Sequence, residues 1–126
     1  MTNYNKSSFK EGIIVSGANG FTGRFVCKEL IKREISFTVI LRPGSNYKWF
    51  KENDILTFYA DLNNKSQLTK VLFGSHTLIN IASIGFGSAK TILNSCKDAS
   101  IKRVIFISST SLFTTLNTNS KSIRIE

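Results

Sequence analysis

Three glycines, Gly17, Gly20 and Gly23, recur at every third position in "IIVSGANGFTGRFV", between a β-branched apolar run and the start of a helical pattern. That spacing suits the holding of a pyrophosphate. A strand that turns straight into a helix needs a residue without Cβ, phosphates must come up against the backbone, and the free N–H groups at the helix start attract an anion. Asn19, Phe21 and Thr22 contribute backbone to the same turn. A glycine triplet also serves turns that bind nothing; its place in the first strand–helix unit is what points to a dinucleotide.

Arg42 stands at the end of the second apolar run, where a dinucleotide-binding fold meets the adenosine ribose. An acid there accepts from a 2′-hydroxyl, whereas an arginine pairs with a 2′-phosphate, so NADP is favoured over NAD. A solvated loop charge is the plainer alternative. Arg24, in the first turn of the helix, either supports the same phosphate or faces water. Asp61, with Leu62 beside it in "YADLNN", closes the third strand; its carboxylate either accepts from an adenine amino group or caps the helix beginning near Asn64.

These residues need a scaffold, and the chain spells one out. "GIIVSG", "SFTVIL" and "RVIFISS" are continuous apolar runs of the buried parallel-strand kind, and the weaker "DILTFYA" and "HTLINIA" complete a set of five. Helical patterns lie between them, with Phe21, Phe25, Val26 and Leu30 expected on one face of the first. Leu68, Val71 and Leu72 share a face further on, as do Ala89, Ile92, Leu93 and Cys96. Strand–helix alternation with short, right-handed connections predicts an α/β fold: a doubly wound, Rossmann-like parallel sheet of strand order 3-2-1-4-5. Pro43, the single proline, ends the second strand in "LRPGS".

Composition narrows the classes of function. At 126 residues the chain suits one domain. No apolar run approaches the roughly 20 residues of a membrane span, and the polar N-terminus lacks a secretory signal, so a cytoplasmic protein is expected. The formal charge of +9 is spread along the chain without forming a block, which speaks against nucleic acid. Cys27 and Cys96 fall in helical patterns without metal-ligand spacing and read as reduced packing residues; no metal is expected. His76, the single histidine, begins the fourth strand at the edge away from the ligand and reads as structural or solvent-facing, while Trp49 and Phe50 read as packing residues of a short helix.

In this order, "SGANGFTGRFV", "ILRPGS", "ADLNN", "LINIAS" and "FISSTSLF" resemble the extended or atypical short-chain dehydrogenase/reductases, the NAD(P)-dependent epimerase/dehydratase group, over roughly residues 12–113. The resemblance implies that Ala82 and Ser83 line the nicotinamide side. It also implies a hydroxyl after the fifth strand, matched by Ser109 with Thr110 second, and a Tyr-x-x-x-Lys pair on the next helix. "NTNSK" is the nearest match to that pair: it puts Lys121 in the lysine's place but Asn117 in the tyrosine's, and asparagine is no proton donor. Residues that select a nucleotide-sugar or small carbonyl substrate in this family follow the point where the chain stops. The expectation is therefore an NAD(P)-binding domain over 1–126, with its core at about 12–113 and no C-terminal substrate region. It acts either in an oxidoreductase or epimerase/dehydratase reaction or as a non-catalytic NADP sensor, with strand five as an exposed edge open to self-association.

Overall fold

The computed structural model describes residues 12–84 and 87–107 with the backbone of two short strands, β6 (Thr114–Thr115) and β7 (Arg124–Ile125), which pair antiparallel. The main sheet is formed by β1 (Ile13–Ser16), β2 (Thr38–Leu41), β3 (Thr57–Tyr59), β4 (Thr77–Asn80) and β5 (Arg103–Phe106). Its order is β3-β2-β1-β4-β5, every pair parallel, as the alternating pattern predicts. Helices α1 (Phe21–Lys32), α2 (Lys48–Glu52), α3 (Lys65–Leu72) and α4 (Ser88–Asp98) make the connections.

The apolar runs are continuous because the central strands are covered on both faces. Ile14, Ile40 and Leu78 point to one side, where they pack with Leu68 and Leu72 of α3 and Ile92 and Cys96 of α4. Val15, Val39 and Leu41 point to the other, against Cys27 of α1 and Phe50 of α2. The edges are less covered: β3 and β5 hold no buried residue, and Ile105 lies 41% exposed on β5.

Two helix faces differ from the sequence expectation. In α1 the buried residues are Gly23 and Cys27, with Leu30 half-buried, whereas Phe21 and Phe25 stack edge to face on the solvent side at 82% and 59% exposure. The physical reason is close approach: small side chains, not large ones, let α1 lie down on the strands. Leu93 likewise turns outward on α4, where Ser88, Ile92, Ser95 and Cys96 are buried.

Both cysteines are free and buried, on opposite faces of the sheet. Burial pushes each thiol up from 9.0 to about 11, with Arg24 pulling Cys27 slightly back. A folded-state pKa raised in this way stabilises the protein fully below pH 9, and the contribution is lost as pH rises towards 11. The urea midpoint should therefore fall more steeply over that range in the wild type than in Cys27→Ala/Cys96→Ala. Parallel pH profiles would contradict it.

Candidate functional site

The carboxyl ends of β1 to β4 open into a cleft of about 900 Å³. It lies where the chain's crossovers diverge: β1 connects to β2 on one side while β4 adjoins β1 on the other, the switch point at which doubly wound sheets bind ligands. Its wall includes Gly17, Asn19 and Gly20 from the first turn, Arg42 after β2, Asp61 and Leu62 after β3, and Ala82 and Ser83 after β4. Eight residues singled out along 67 positions of sequence are thus brought to one cleft.

Steric necessity explains two of the glycines. Gly17 has φ +76°, and a Cβ there would sit on the Ala82 nitrogen and 2.7 Å from its Cα. Gly23 is buried under the turn, where a Cβ would meet the Gly17 carbonyl oxygen and come 2.7 Å from Ala18 Cα. Gly20 is different: its φ is −80°, and an added Cβ would find only the Gly17 oxygen at 3.7 Å. Gly20 is also the N-cap of α1, gives it no side-chain cap, and is followed by no acid in the first turn. The positive end of α1 is thus left without a carboxylate of its own. Phe21 and Thr22 are exposed, so the contribution expected of them falls to backbone.

Arg42 is exposed at the cleft wall, and neither the Arg33–Glu29 nor the Lys65–Asp98 ion pair involves it. Its carbonyl accepts from Ser45 N at 3.0 Å, closing a turn through Pro43 and Gly44 that brings Ser45 to the same wall. Asp61 does not cap α3. Asn64 does so, accepting from Gln67 N at 3.0 Å, while Asp61 Oδ1 accepts from Asn63 N at 2.9 Å and orders the loop facing the cleft.

Ala82 is held by a polar pin buried in the sheet. Ser16 Oγ donates to Asn80 Oδ1 at 2.5 Å, and Asn80 Nδ2 donates to the Ala82 carbonyl at 3.0 Å. Ser16 and Asn80 are both essentially inaccessible to water. Nothing in the sequence alone gives a role to Asn80 inside "LINIAS" or to Ser16. The available signal was a polar residue at the carboxyl end of each of these two buried strands. Ser88 was missed as well: it begins α4 at the cleft wall and donates to Asn63 Oδ1 at 2.9 Å.

Arg24 neither lines the cleft nor stands in water. Its Nη2 donates to Asn19 Oδ1 at 2.8 Å, and its guanidinium carbon lies 4.4 Å from the centre of the Trp49 ring. Trp49 and the fully buried Phe50 pack edge to face, as packing residues should. His76 stands at the amino end of β4, away from the cleft, exposed, with Nδ1 2.8 Å from Thr77 Oγ1. Ser109, Thr110, Asn117 and Lys121 lie outside the described residues. No helix among the described residues is long and apolar enough to cross a membrane.

Comparison with known proteins agrees with this geometry. Residues 17–124 match the profile of a family described as NAD(P)H-binding. A curated mouse protein, the decarboxylating sterol-4-alpha-carboxylate 3-dehydrogenase, is 25% identical over 78% of this chain and 30% of its own length. Among solved structures, the Escherichia coli NADPH-dependent quinone oxidoreductase complexed with NADPH is 25% identical, with a TM-score of 0.68 over 75% of this chain and 35% of that one. A nucleoside-diphosphate-sugar epimerase from Pseudomonas aeruginosa shares the fold at 18% identity and a TM-score of 0.68, over 79% of this chain and 33% of the epimerase. The chain thus spans about a third of the length of these relatives.

Proposed function

The chain belongs to the NAD(P)H-binding family, on the extended short-chain dehydrogenase/reductase side, and from that premise we propose that it binds NADP(H) across the cleft as the cofactor-holding part of a cytoplasmic reductase-like protein. The observation that carries this reading is the gathering of the glycine turn, Arg42, Asp61 and the Ala82–Ser83 segment on one wall. In it Gly17, Asn19 and Gly20 hold the pyrophosphate, Arg42 pairs with the 2′-phosphate, Asp61 and Leu62 flank the adenine, and Ala82 and Ser83 flank the nicotinamide. The residues fit such a ligand, because the turn that a Cβ would close is open and the helix end facing it is unneutralised. Bound NADPH supplies a hydride. Ser109, Thr110 and Lys121 are the groups proposed to meet a small carbonyl or nucleotide-sugar substrate.

Calorimetric titration with NADPH and NADH tests the reading. We expect NADPH to bind more tightly, and Arg42→Ala to lose about 1.5–3 kcal/mol for NADPH, roughly 10- to 150-fold, with NADH nearly unchanged. A variant that weakens both nucleotides alike would remove the 2′-phosphate contact from Arg42. Binding of neither by the wild type would remove the reading itself.

Asn117, standing where the resemblance expects a tyrosine, favours a second reading: an NADP-binding module without chemistry. The two are separated by mixing bound NADPH with quinones and small carbonyls and following its oxidation. Turnover selects the reductase; tight binding without turnover selects the module.

A further inference from the structure

We infer that Arg24 is a positioning residue for the dinucleotide cleft, acting through Asn19; this rests on the dinucleotide reading above. Arginine carries only donors, so the side-chain amide that meets it must present its oxygen. Asn19 does so, accepting from Arg24 Nη2 at 2.8 Å. With its oxygen committed, the amide keeps its –NH2 group to meet an anion, and Asn19 lines the cleft beside Gly20. Arg24 thereby fixes the amide in the orientation that suits a pyrophosphate; a free asparagine presents either end.

The arginine is itself held in place. Its guanidinium lies over Trp49 at 4.4 Å and near Phe50 at 5.3 Å, a cation–π seat supplied by α2. Its Nε is enclosed and has no hydrogen-bond partner, a cost that a freely solvated arginine would avoid. Both ends of the contact lead to the site: Asn19 is in the glycine turn, and α2 directly follows the Arg42–Ser45 turn. The side chain joins the pyrophosphate end of the cleft to the 2′-phosphate end. A lysine would not replace it, because a single ammonium has no planar fork to lie flat on the indole while donating to Asn19.

The test is a double-mutant cycle on nucleotide affinity, followed by emission of Trp49, the single tryptophan, and by calorimetry. Arg24→Ala and Asn19→Ala should each weaken NADPH and NADH alike, by about tenfold, and the double variant should be no weaker than either single one. Arg24→Met keeps the apolar stem over Trp49 and guards against a folding defect; it should lose affinity as Arg24→Ala does, with the unfolding midpoint retained. Wild-type affinity in Arg24→Met, or additive losses in the double variant, overturns the proposal. So does a loss confined to NADPH, which would mark direct contact with the 2′-phosphate. If the wild type binds neither nucleotide, the dinucleotide reading falls and takes this one with it; if the wild type binds and Arg24→Met binds equally, only the role of Arg24 falls.

Discussion

Gly17→Ala should be among the most damaging single substitutions in the chain, and Gly20→Ala, three residues on, should leave it folded. At Gly17 a left-handed backbone costs a side-chain-bearing residue about 1–2 kcal/mol. The new Cβ also runs into the Ala82 backbone, and overpacking of this kind adds about 1–3 kcal/mol. Backbone on both sides of the clash leaves little room to relax, so a loss of about 2–5 kcal/mol is expected against a domain stability of roughly 5–15 kcal/mol. Gly23→Ala fails by the second term alone, through Gly17 O and Ala18. Urea unfolding should show both variants strongly destabilised.

Gly20→Ala separates folding from binding. Its φ of −80° suits any residue, and its Cβ would find only ordinary contact. As an N-cap, alanine is poorer than glycine by a modest amount, about 1 kcal/mol or less. If a pyrophosphate lies against this turn, the methyl group takes its place, and NADPH affinity should drop at least about tenfold in a folded protein. A Gly20→Ala chain that binds like the wild type would show that the phosphates lie elsewhere.

The same three glycines show what a sequence discloses. Their spacing after a β-branched run announced a tight strand-to-helix turn, and the five apolar runs with helical patterns between them announced the 3-2-1-4-5 sheet. Arg42 and Asp61 were legible as cleft residues, since parallel strands deliver their last residues to one edge. Burial on α1 was not: Phe21 and Phe25 drew attention by size, yet Gly23 and Cys27 are what the sheet accepts. Long-range polar pairs were also beyond reach. Ser16 and Asn80 are 64 residues apart, and Asn63 and Ser88 are 25 apart, with nothing local in either residue to name its partner. The partners of Arg24, Asn19 and Trp49, are likewise not announced by its position in the first turn of α1, because they lie on different elements.

Asn80 carries the second large effect, and its pH dependence distinguishes polarity from shape. Asn80→Leu removes the acceptor for Ser16 Oγ, leaving a buried hydroxyl unpaired at about 1–3 kcal/mol, and takes the donor from the half-buried Ala82 carbonyl as well. It should also weaken NADPH, because Ala82 is released at the cleft wall. Asn80→Asp keeps the shape and still accepts from Ser16, but an ionised carboxylate has no proton for the Ala82 carbonyl and is buried at 0% exposure. Burial and the facing carbonyl both favour the protonated acid, which restores the donor, so the folded-state pKa of the new carboxyl rises above its unfolded value of about 3.9. A raised pKa gives stability that is present below the unfolded value and lost as pH climbs through the folded one. Relative to wild type at each pH, so that the native carboxylates cancel, Asn80→Asp should be strongly destabilised at neutral pH and recover on acidification. A gap in unfolding midpoint that stays constant with pH would mean that the new carboxyl titrates alike in the folded and unfolded chains, and that position 80 is neither closed to water nor in need of a donor.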